Sequence, residues 1–152
     1  MNATDVDEHP KAEGVAVGDD GSAGSRDAVR WAAREAAVRG CPLYVLRSWS
    51  ILDLAPPAAQ ASVPPLATFQ ARVQAEMQDD WAALDLDVAV HLQPVHAPAV
   101  RMLLEASRTA DLLVVGSRGR GGFTELVLGS TADQVVRHSH CPVTVVRPQD
   151  PS

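Results

Sequence analysis

The sequence predicts an α/β domain in which helices cover both faces of an open, parallel β-sheet. Short apolar runs suited to buried strands alternate along the chain with longer stretches of helical periodicity. Five such strands with helices between them are typical of a parallel sheet with crossover helices on both faces. A chain of 152 residues suits a single domain. We expect that domain to span residues 13–148, between a disordered tail at 1–12 and a short tail at 149–152.

The first strand and helix are predicted from an apolar run and the helical repeat that follows it. Gly14–Gly18 reads GVAVG, and Asp19–Ser22 supplies turn residues after it. Ser25 is the expected N-cap of the helix, and Gly40 is its expected end. One face of the helix carries small apolar residues at helical spacing, namely Val29, Ala32, Ala33, Ala36 and Ala37.

The middle of the chain is predicted as a strand, a proline-rich loop, a helix and another strand. Leu43–Trp49 is an apolar strand, and the four prolines within Ile51–Leu66 exclude a regular helix there. We expect this segment to be a long loop that covers a site. Ala67–Leu84 is a helix, and Leu86–Leu92 alternates in the manner of a strand. The helix carries an apolar stripe suited to core or dimer packing, formed by Phe69, Val73, Met77 and Trp81.

The C-terminal part is predicted as two further helices and two strands. Pro98–Thr109 is a helix with a proline suited to its first turn. Leu112–Gly116 is a buried strand that leads directly into the glycine-rich segment Gly116–Gly122. Ser130–His138 is a helix whose serine is the expected cap, with an acidic residue at capping-box spacing. Val143–Arg147 is the last strand.

The charge and cysteine content exclude several classes of function. A formal net charge of −6 argues against nucleic-acid binding, which needs a cationic surface. Cys41 and Cys141 are too few for a disulfide framework and are expected to be reduced thiols. No apolar run approaches membrane-spanning length, and the N-terminus has no signal-peptide pattern. We therefore expect a cytoplasmic protein with no membrane partner.

The glycine-rich segment after the fourth strand is the main functional signal. Ligands of open parallel sheets bind at the carboxyl ends of the strands. The glycines of Gly116–Gly122 let main-chain N–H groups approach an anion without obstruction by side chains. Gly129 then leads into a helix whose N-terminus attracts phosphate. Hydroxyl donors and positive charge are expected from Ser117, Arg118, Arg120, Ser130 and Thr131.

Two common phosphate-binding motifs are absent from the sequence. A Walker A loop needs a lysine after its last glycine, and the only lysine is Lys11. A dinucleotide fingerprint starting at Gly119 would need a glycine where Thr124 stands. The pattern present is Gly-x-x-Gly starting at Gly116, then nine residues, then Gly129-Ser130.

This pattern resembles the ATP-binding signature of the universal stress protein (UspA-like) family. Similar segments are DGSAGSRDAVRWAAREAA at 20–37, DLLVVGSRGRGG at 111–122 and LVLGSTADQVVRHSHCPVTVVRP at 126–148. The resemblance covers residues 14–148. It implies an open five-stranded sheet of order 3-2-1-4-5, of the adenine-nucleotide alpha-hydrolase-like type. It also implies a nucleotide-dependent regulatory or stress-response function.

The resemblance further implies ATP, with or without Mg²⁺, or another adenine nucleotide as the ligand. It assigns Asp20 to a position near the adenosine. It assigns Ser48 to the end of the second strand, where the main chain meets adenine. The phosphates and ribose are assigned to Gly116, Gly119, Gly129 and Ser130.

The same resemblance implies a homodimer and shows two departures. Family dimers often pair their last strands, here Val143, Thr144, Val145 and Val146. Arg47 precedes the strand-end serine where relatives often have histidine. Ala97 stands where a glycine often precedes the proline of the third helix.

Alternative functions remain open at this level. The protein is at most a weak ATPase, because Asp19 and Asp20 are the only obvious carboxylates for a metal and no general base is identifiable. A nucleotide-independent dimeric interaction module would need the glycines only for a tight connection. Asp20 could serve only as a helix cap. No metal site is expected at His138 and His140, which have no third ligand nearby in sequence.

Overall fold

The computed structural model describes residue 6 and residues 8–54, 64–84, 88–119 and 128–148. Within these residues, five strands form one sheet in which every neighbouring pair is parallel. They are β1 (Val15–Gly18), β2 (Leu43–Ser48), β3 (Val90–Val95), β4 (Leu112–Gly116) and β5 (Val143–Val146). The strand order is β3-β2-β1-β4-β5, which confirms the predicted fold class and topology.

Five helices accompany the strands in the described part of the chain. They are α1 (Ala23–Arg39), α2 (Ile51–Leu54), α3 (Leu66–Trp81), α4 (Ala99–Ala106) and α5 (Ser130–His138). None of these helices is long and apolar enough to cross a bilayer.

The core forms one layer on each face of the sheet. On one face, α1 and α3 pack against alternate strand residues such as Val15 and Val17, both fully buried. The predicted stripe of α3 lies in this layer, and all four of its members are buried. On the other face, α4 and α5 supply Met102, Leu103 and Val135. The predicted arrangement of helices on both faces is therefore confirmed, and the α3 stripe is core packing.

Two predicted helix caps are wrong. α1 begins after Ser22, whose hydroxyl oxygen accepts from the Ser25 N–H at 3.3 Å, so Ser25 lies inside the helix. Gly40 does end α1, with φ of 65°. α5 begins after Gly129 rather than after a capping serine, and Ser130 is its first residue. The expected capping box does not form, because the Asp133 carboxylate pairs with Arg137 one turn later.

Three further elements differ from the prediction, namely α2, β3 and α4. The segment expected as a loop begins with α2, and its residues 55–63 lie outside the described residues. β3 runs over Val90–Val95, about three residues beyond the predicted strand end. It includes Pro94, which a strand tolerates best at a sheet edge, and β3 is an edge strand. α4 begins after Pro98 and ends three residues before the predicted end.

The N-terminal segment packs against the sheet earlier than expected. Gln93 accepts a hydrogen bond from the Lys11 N–H at 2.9 Å and donates one to the Lys11 carbonyl oxygen at 2.8 Å. Ala12 is buried. The disordered tail predicted for residues 1–12 is therefore wrong at its C-terminal end, whereas residues 1–5 and 7 lie outside the described residues.

Candidate functional site

A cavity of about 450 Å³ opens at the carboxyl ends of β1 and β4. These strands are adjacent at the centre of the sheet, but the chain continues from β1 towards one edge and from β4 towards the other. Such a switch in strand order leaves a crevice between the loops that follow the two strands. The volume lies within the range of small-molecule sites.

The structure brings all nine predicted site residues into the wall of this cavity. They come from the turn after β1, the end of β2, the loop after β4 and the start of α5. The nine are Asp20, Ser48, Gly116, Ser117, Arg118, Gly119, Gly129, Ser130 and Thr131. Arg120, Gly121 and Gly122, which were also expected in this loop, lie outside the described residues.

The cavity wall has an apolar part and a polar part. The apolar part comes from α4, through Ala99, Met102 and Leu103, with Val115 of β4 and Ala132 of α5. The polar part comes from the loops at the carboxyl ends of the strands. A ligand with a flat apolar ring and a negatively charged tail would match this division, because the ring needs burial and the tail needs donors.

Gly116 is required by close backbone packing, and Gly129 lies in van der Waals contact with the backbone of the loop after β4. A Cβ atom at Gly116 would lie 3.3 Å from the carbonyl oxygen of Gly24 in α1. A Cβ atom at Gly129 would lie 3.4 Å from both the Arg118 Cα and the Ser117 carbonyl oxygen. The Gly129 N–H also donates to that oxygen at 2.6 Å. These contacts hold the loop after β4 against the start of α5.

Gly119 differs from these two glycines because the described residues leave more space around it. Among the described residues, a Cβ atom at Gly119 would meet only Asp20 Oδ2, at 3.5 Å. A small side chain would therefore fit without a clash against backbone, and it would occupy space beside the cavity. With respect to the part of the chain that the structure describes, the missing side chain at Gly119 leaves room in the cavity.

The start of α5 offers main-chain donors to the cavity. Its N-cap is a glycine, so no side chain caps the first turn. The Asp133 N–H donates to the Gly129 carbonyl oxygen, which is the first bond of the helix. The N–H groups before it, including those of Ser130 and Thr131, have no intrahelical acceptor and lie at the positive end of the helix dipole.

The turn after β1 contributes two aspartates with different surroundings. Asp20 lines the cavity, and its Oδ1 accepts from the Ser22 N–H at 2.9 Å. Asp19 is buried, and its Oδ1 accepts from the Gly21 N–H at 3.0 Å and from Ser25 Oγ at 3.1 Å. Both carboxylates thus help to shape the turn.

The other oxygen of Asp19 is bound by two side chains from neighbouring elements. Asp19 Oδ2 accepts from Arg47 Nη2 at 2.5 Å and from Trp81 Nε1 at 2.8 Å. Arg47 Nη2 also donates to Asp80 Oδ2 at 2.9 Å. Both oxygens of Asp19 are therefore occupied. Of the two candidate metal carboxylates, Asp19 therefore pairs a buried arginine.

The charge of Arg47 is stabilised by this pairing. Burial alone would lower the pKa of Arg47, but the charge of Asp19 and hydrogen bonds to Asp80 and Asp19 outweigh it. The pKa of the guanidinium is raised above its ordinary value, so the side chain is a fixed cation.

The contacts of Arg47 and Trp81 with Asp19, and of Arg47 with Asp80, were not predicted from the sequence. A signal was available, because an arginine inside the apolar run of β2 needs a buried anion. The sequence could not say which acidic residue supplies it, since Asp80 is distant along the chain and Trp81 was expected only in the core.

Comparison with known proteins identifies the family. Residues 13–147 match the universal stress protein family. A universal stress protein of Mycolicibacterium smegmatis is 36% identical over 149 residues, which are 98% of this chain and 50% of that protein. The chain thus spans about half the length of this relative.

Solved structures show the same fold. Universal stress protein UspA from Lactobacillus plantarum has a TM-score of 0.70 at 19% identity, covering 91% of this chain and all of that one. A universal stress protein crystallised in complex with cAMP has a TM-score of 0.58 at 27% identity, covering 91% of this chain and 98% of that one. Together with the match over residues 13–147, these findings show that the chain belongs to the universal stress protein family.

Proposed function

We propose that this protein binds ATP in the cavity at the ends of β1 and β4 and acts as a nucleotide-dependent regulator in a stress response. The observation that carries the proposal is the meeting of Gly116, Gly119 and the uncapped start of α5 in one cavity. Such an arrangement of free main-chain N–H groups suits a polyphosphate. Arg118, which also lines the cavity, adds a charged donor.

An adenine nucleotide fits the rest of the cavity. The apolar wall from α4 can bury a flat base, and the end of β2 at Ser48 offers main-chain groups to its polar edge. The universal stress protein crystallised with cAMP supports an adenine ligand, since it is similar to this chain over nearly its whole length. The spaced glycines and the start of α5 favour ATP over a nucleotide with one phosphate, because they supply donors for several phosphates.

Magnesium, if present, would arrive with the nucleotide. The described residues contain no cluster of three metal-ligating side chains, and Asp19 is engaged with Arg47. Asp19 and Asp20 both line the cavity, and Asp20 is the one beside Gly119. Mg²⁺ is often held by one or two carboxylates and the phosphates of a substrate, so Asp20 fits the role of its protein ligand. Bound Mg²⁺ would neutralise part of the phosphate charge.

Calorimetric titration of the protein with ATP, AMP, cAMP and GTP tests the proposal. We expect ATP to bind more tightly than AMP or cAMP, because it engages more main-chain donors. ATP should also bind more tightly than GTP, because the main chain at the end of β2 recognises the base. At one hundred times its dissociation constant, ATP should add about 2.7 kcal/mol to the free energy of unfolding. The absence of heat and of any thermal shift with millimolar ATP would contradict it.

We also propose that two copies of the chain pair through β5. This strand lies at the sheet edge, and its four residues are half-buried. The carbonyl oxygen of Pro142 accepts from Leu113 of β4, and that of Val146 accepts from Ser117 directly after β4. By alternation, the backbone groups of Val143 and Val145 face outward. An unprotected edge of apolar residues favours pairing with a second strand.

Replacing Val145 by proline tests this pairing. Proline removes an outward N–H, whereas the neighbouring residues that bond β4 are unchanged. We expect wild-type protein to run as a dimer and Val145→Pro as a monomer by size-exclusion chromatography with light scattering. Retained ATP binding by the monomer would show that the variant is folded. A wild-type monomer, or a dimer that survives the substitution, would contradict the proposal.

A further inference from the structure

Three elements meet at one buried arginine beside the cavity. Arg47 of β2 is 8% exposed and contacts Asp19 at the end of β1 and Asp80 near the end of α3. We call these three residues the Arg47 bridge. The Arg47 Nε is also buried and has no hydrogen-bond partner among the described residues. The two carboxylates therefore hold the guanidinium in its position.

One end of the Arg47 bridge fixes the turn after β1. The Asp19 oxygen that does not bind Arg47 accepts from the Gly21 N–H and from Ser25 Oγ. Gly21 has φ of 82°, a conformation that favours glycine, so the turn has a specific shape that these bonds maintain. Displacement of Asp19 would release both bonds at once.

That turn forms part of the cavity wall. It carries Asp20, whose Oδ2 lies close to Gly119. It leads into α1, where the Gly24 carbonyl oxygen packs against Gly116 and a Cβ at Gly24 would lie 3.4 Å from the Arg118 carbonyl oxygen. The turn after β1 and the loop after β4 therefore contact each other through backbone atoms. A shift of the turn would displace the loop after β4, and the reverse also holds, because contacts between backbone atoms cannot be relieved by rotating side chains.

The bridge also balances charge at the cavity. Asp19 contributes to the cavity wall, although its side chain is fully shielded from solvent. Without the arginine, this carboxylate would be an unpaired buried anion next to the place where we propose that phosphates bind. It would repel them and would itself be costly to bury.

We propose that Arg47 is a positioning residue that links α3 to the turn that carries Asp20. Because of this link, ligand affinity depends on Asp80, the member of the Arg47 bridge that lies on α3. This inference rests on the proposed nucleotide binding. It predicts that a change on α3, outside the cavity, weakens binding. It also predicts that nucleotide binding changes the surroundings of the Trp81 indole, because Trp81 and Arg47 both donate to Asp19 Oδ2.

Asp80→Ala, with Asp79→Ala as its matched control, tests the link. Both positions are exposed on α3 and each variant removes one negative charge, but only Asp80 pairs with Arg47 in the bridge. We expect Asp80→Ala to bind ATP about threefold to tenfold more weakly, a coupling typical of sites linked through packed networks. Asp79→Ala should bind as the wild type does.

Variants of Arg47 separate positioning from simple structural support. Arg47→Met leaves Asp19 unpaired and is expected to bind ATP more weakly than Asp80→Ala. Arg47→Lys keeps the cation and should recover part of that affinity. The indole N–H resonance of Trp81 should shift with ATP and with either Arg47 variant. The resonance of Trp31, on α1 and outside the bridge, is the internal reference.

Hydrogen exchange of the Gly21 amide in nucleotide-free protein tests the link between Asp80 and the turn after β1 without any ligand. We expect faster exchange in Asp80→Ala than in Asp79→Ala, because the bond from Gly21 to Asp19 is weakened. Equal exchange in the two variants overturns the positioning role, whether or not ATP binds. Faster exchange in Asp80→Ala, together with no ATP binding by the wild type, supports the link and refutes the proposed function.

Discussion

Replacing Gly119 by valine is expected to abolish ATP binding while the fold is retained. Among the described residues, a Cβ at this position meets only the Asp20 carboxylate, at an ordinary contact distance of 3.5 Å. Gly119 is also absent from the glycines with positive φ, so the backbone accepts a side chain. The branched side chain would fill space beside Asp20, where we propose that the nucleotide lies.

The expected loss of ATP affinity for Gly119→Val is about one-hundredfold or more, which removes about 2.7 kcal/mol of binding free energy. Titration calorimetry measures this loss, and thermal unfolding without nucleotide should differ little from the wild type. Gly119→Ala, with a smaller side chain, should lie between the two. Binding of ATP by Gly119→Val within about twofold of the wild type would contradict the assigned cavity.

Replacing Gly14 by alanine is expected to produce a large loss of stability. Gly14 precedes β1 with φ of 154°, and a Cβ there would lie 2.5 Å from the Pro42 carbonyl oxygen. That oxygen accepts from the Val15 N–H at 3.1 Å, and the Gly14 carbonyl oxygen accepts from the Asp111 N–H at 2.8 Å. Neither strand can move aside without breaking a bond of the central sheet.

Backbone strain and overpacking each cost about 1–3 kcal/mol, so we expect Gly14→Ala to lose about 3 kcal/mol or more. Gly40→Ala is the matched control. Gly40 has φ of 65° but no atom of the described residues lies within 4 Å of the added carbon, so only backbone strain of about 1–2 kcal/mol should appear. Urea unfolding of both variants measures the difference. Equal losses would show that the contact at Pro42 is relieved at no cost.

Much of the fold was predictable because buried parallel strands have a distinctive sequence. The runs at β1, β2, β4 and β5 are short, apolar and bounded by turn residues, and each lies where it was expected. The end of β3 was predicted three residues too early because Pro94 argues against a strand, and its predicted start at Leu86 lies outside the described residues. An edge strand accepts a proline, but the sequence does not show which strand is at the edge.

The N-caps of α1 and α5 were predicted wrongly because local contacts decide where each helix begins. Ser22 and Ser25 are both good capping residues, three positions apart, and either could begin α1. The choice depends on Asp19, which takes the Ser25 hydroxyl as a donor. At α5, the close approach of Gly129 to Ser117 sets the helix start, which no propensity of Ser130 could reveal.

Seven residues of the cavity wall were predictable from the glycine-rich segment and the helix start after it, and Asp20 and Ser48 were predictable from the family resemblance. The side-chain contacts that support this wall were not predictable. All nine predicted residues line one cavity because loops at the ends of adjacent parallel strands meet. The Arg47 bridge depends on pairing across distant parts of the chain. A single sequence shows that Arg47 needs an anion but not that Asp19 and Asp80 supply it.

Amide chemical shifts followed during titration with ATP test the central claim most directly. We predict saturable shifts at Gly119, Gly129, Ser130 and Thr131, with the edge strand β3 unchanged. Saturating ATP that leaves these four amides in place, or that shifts only residues remote from the ends of β1 and β4, would contradict the account.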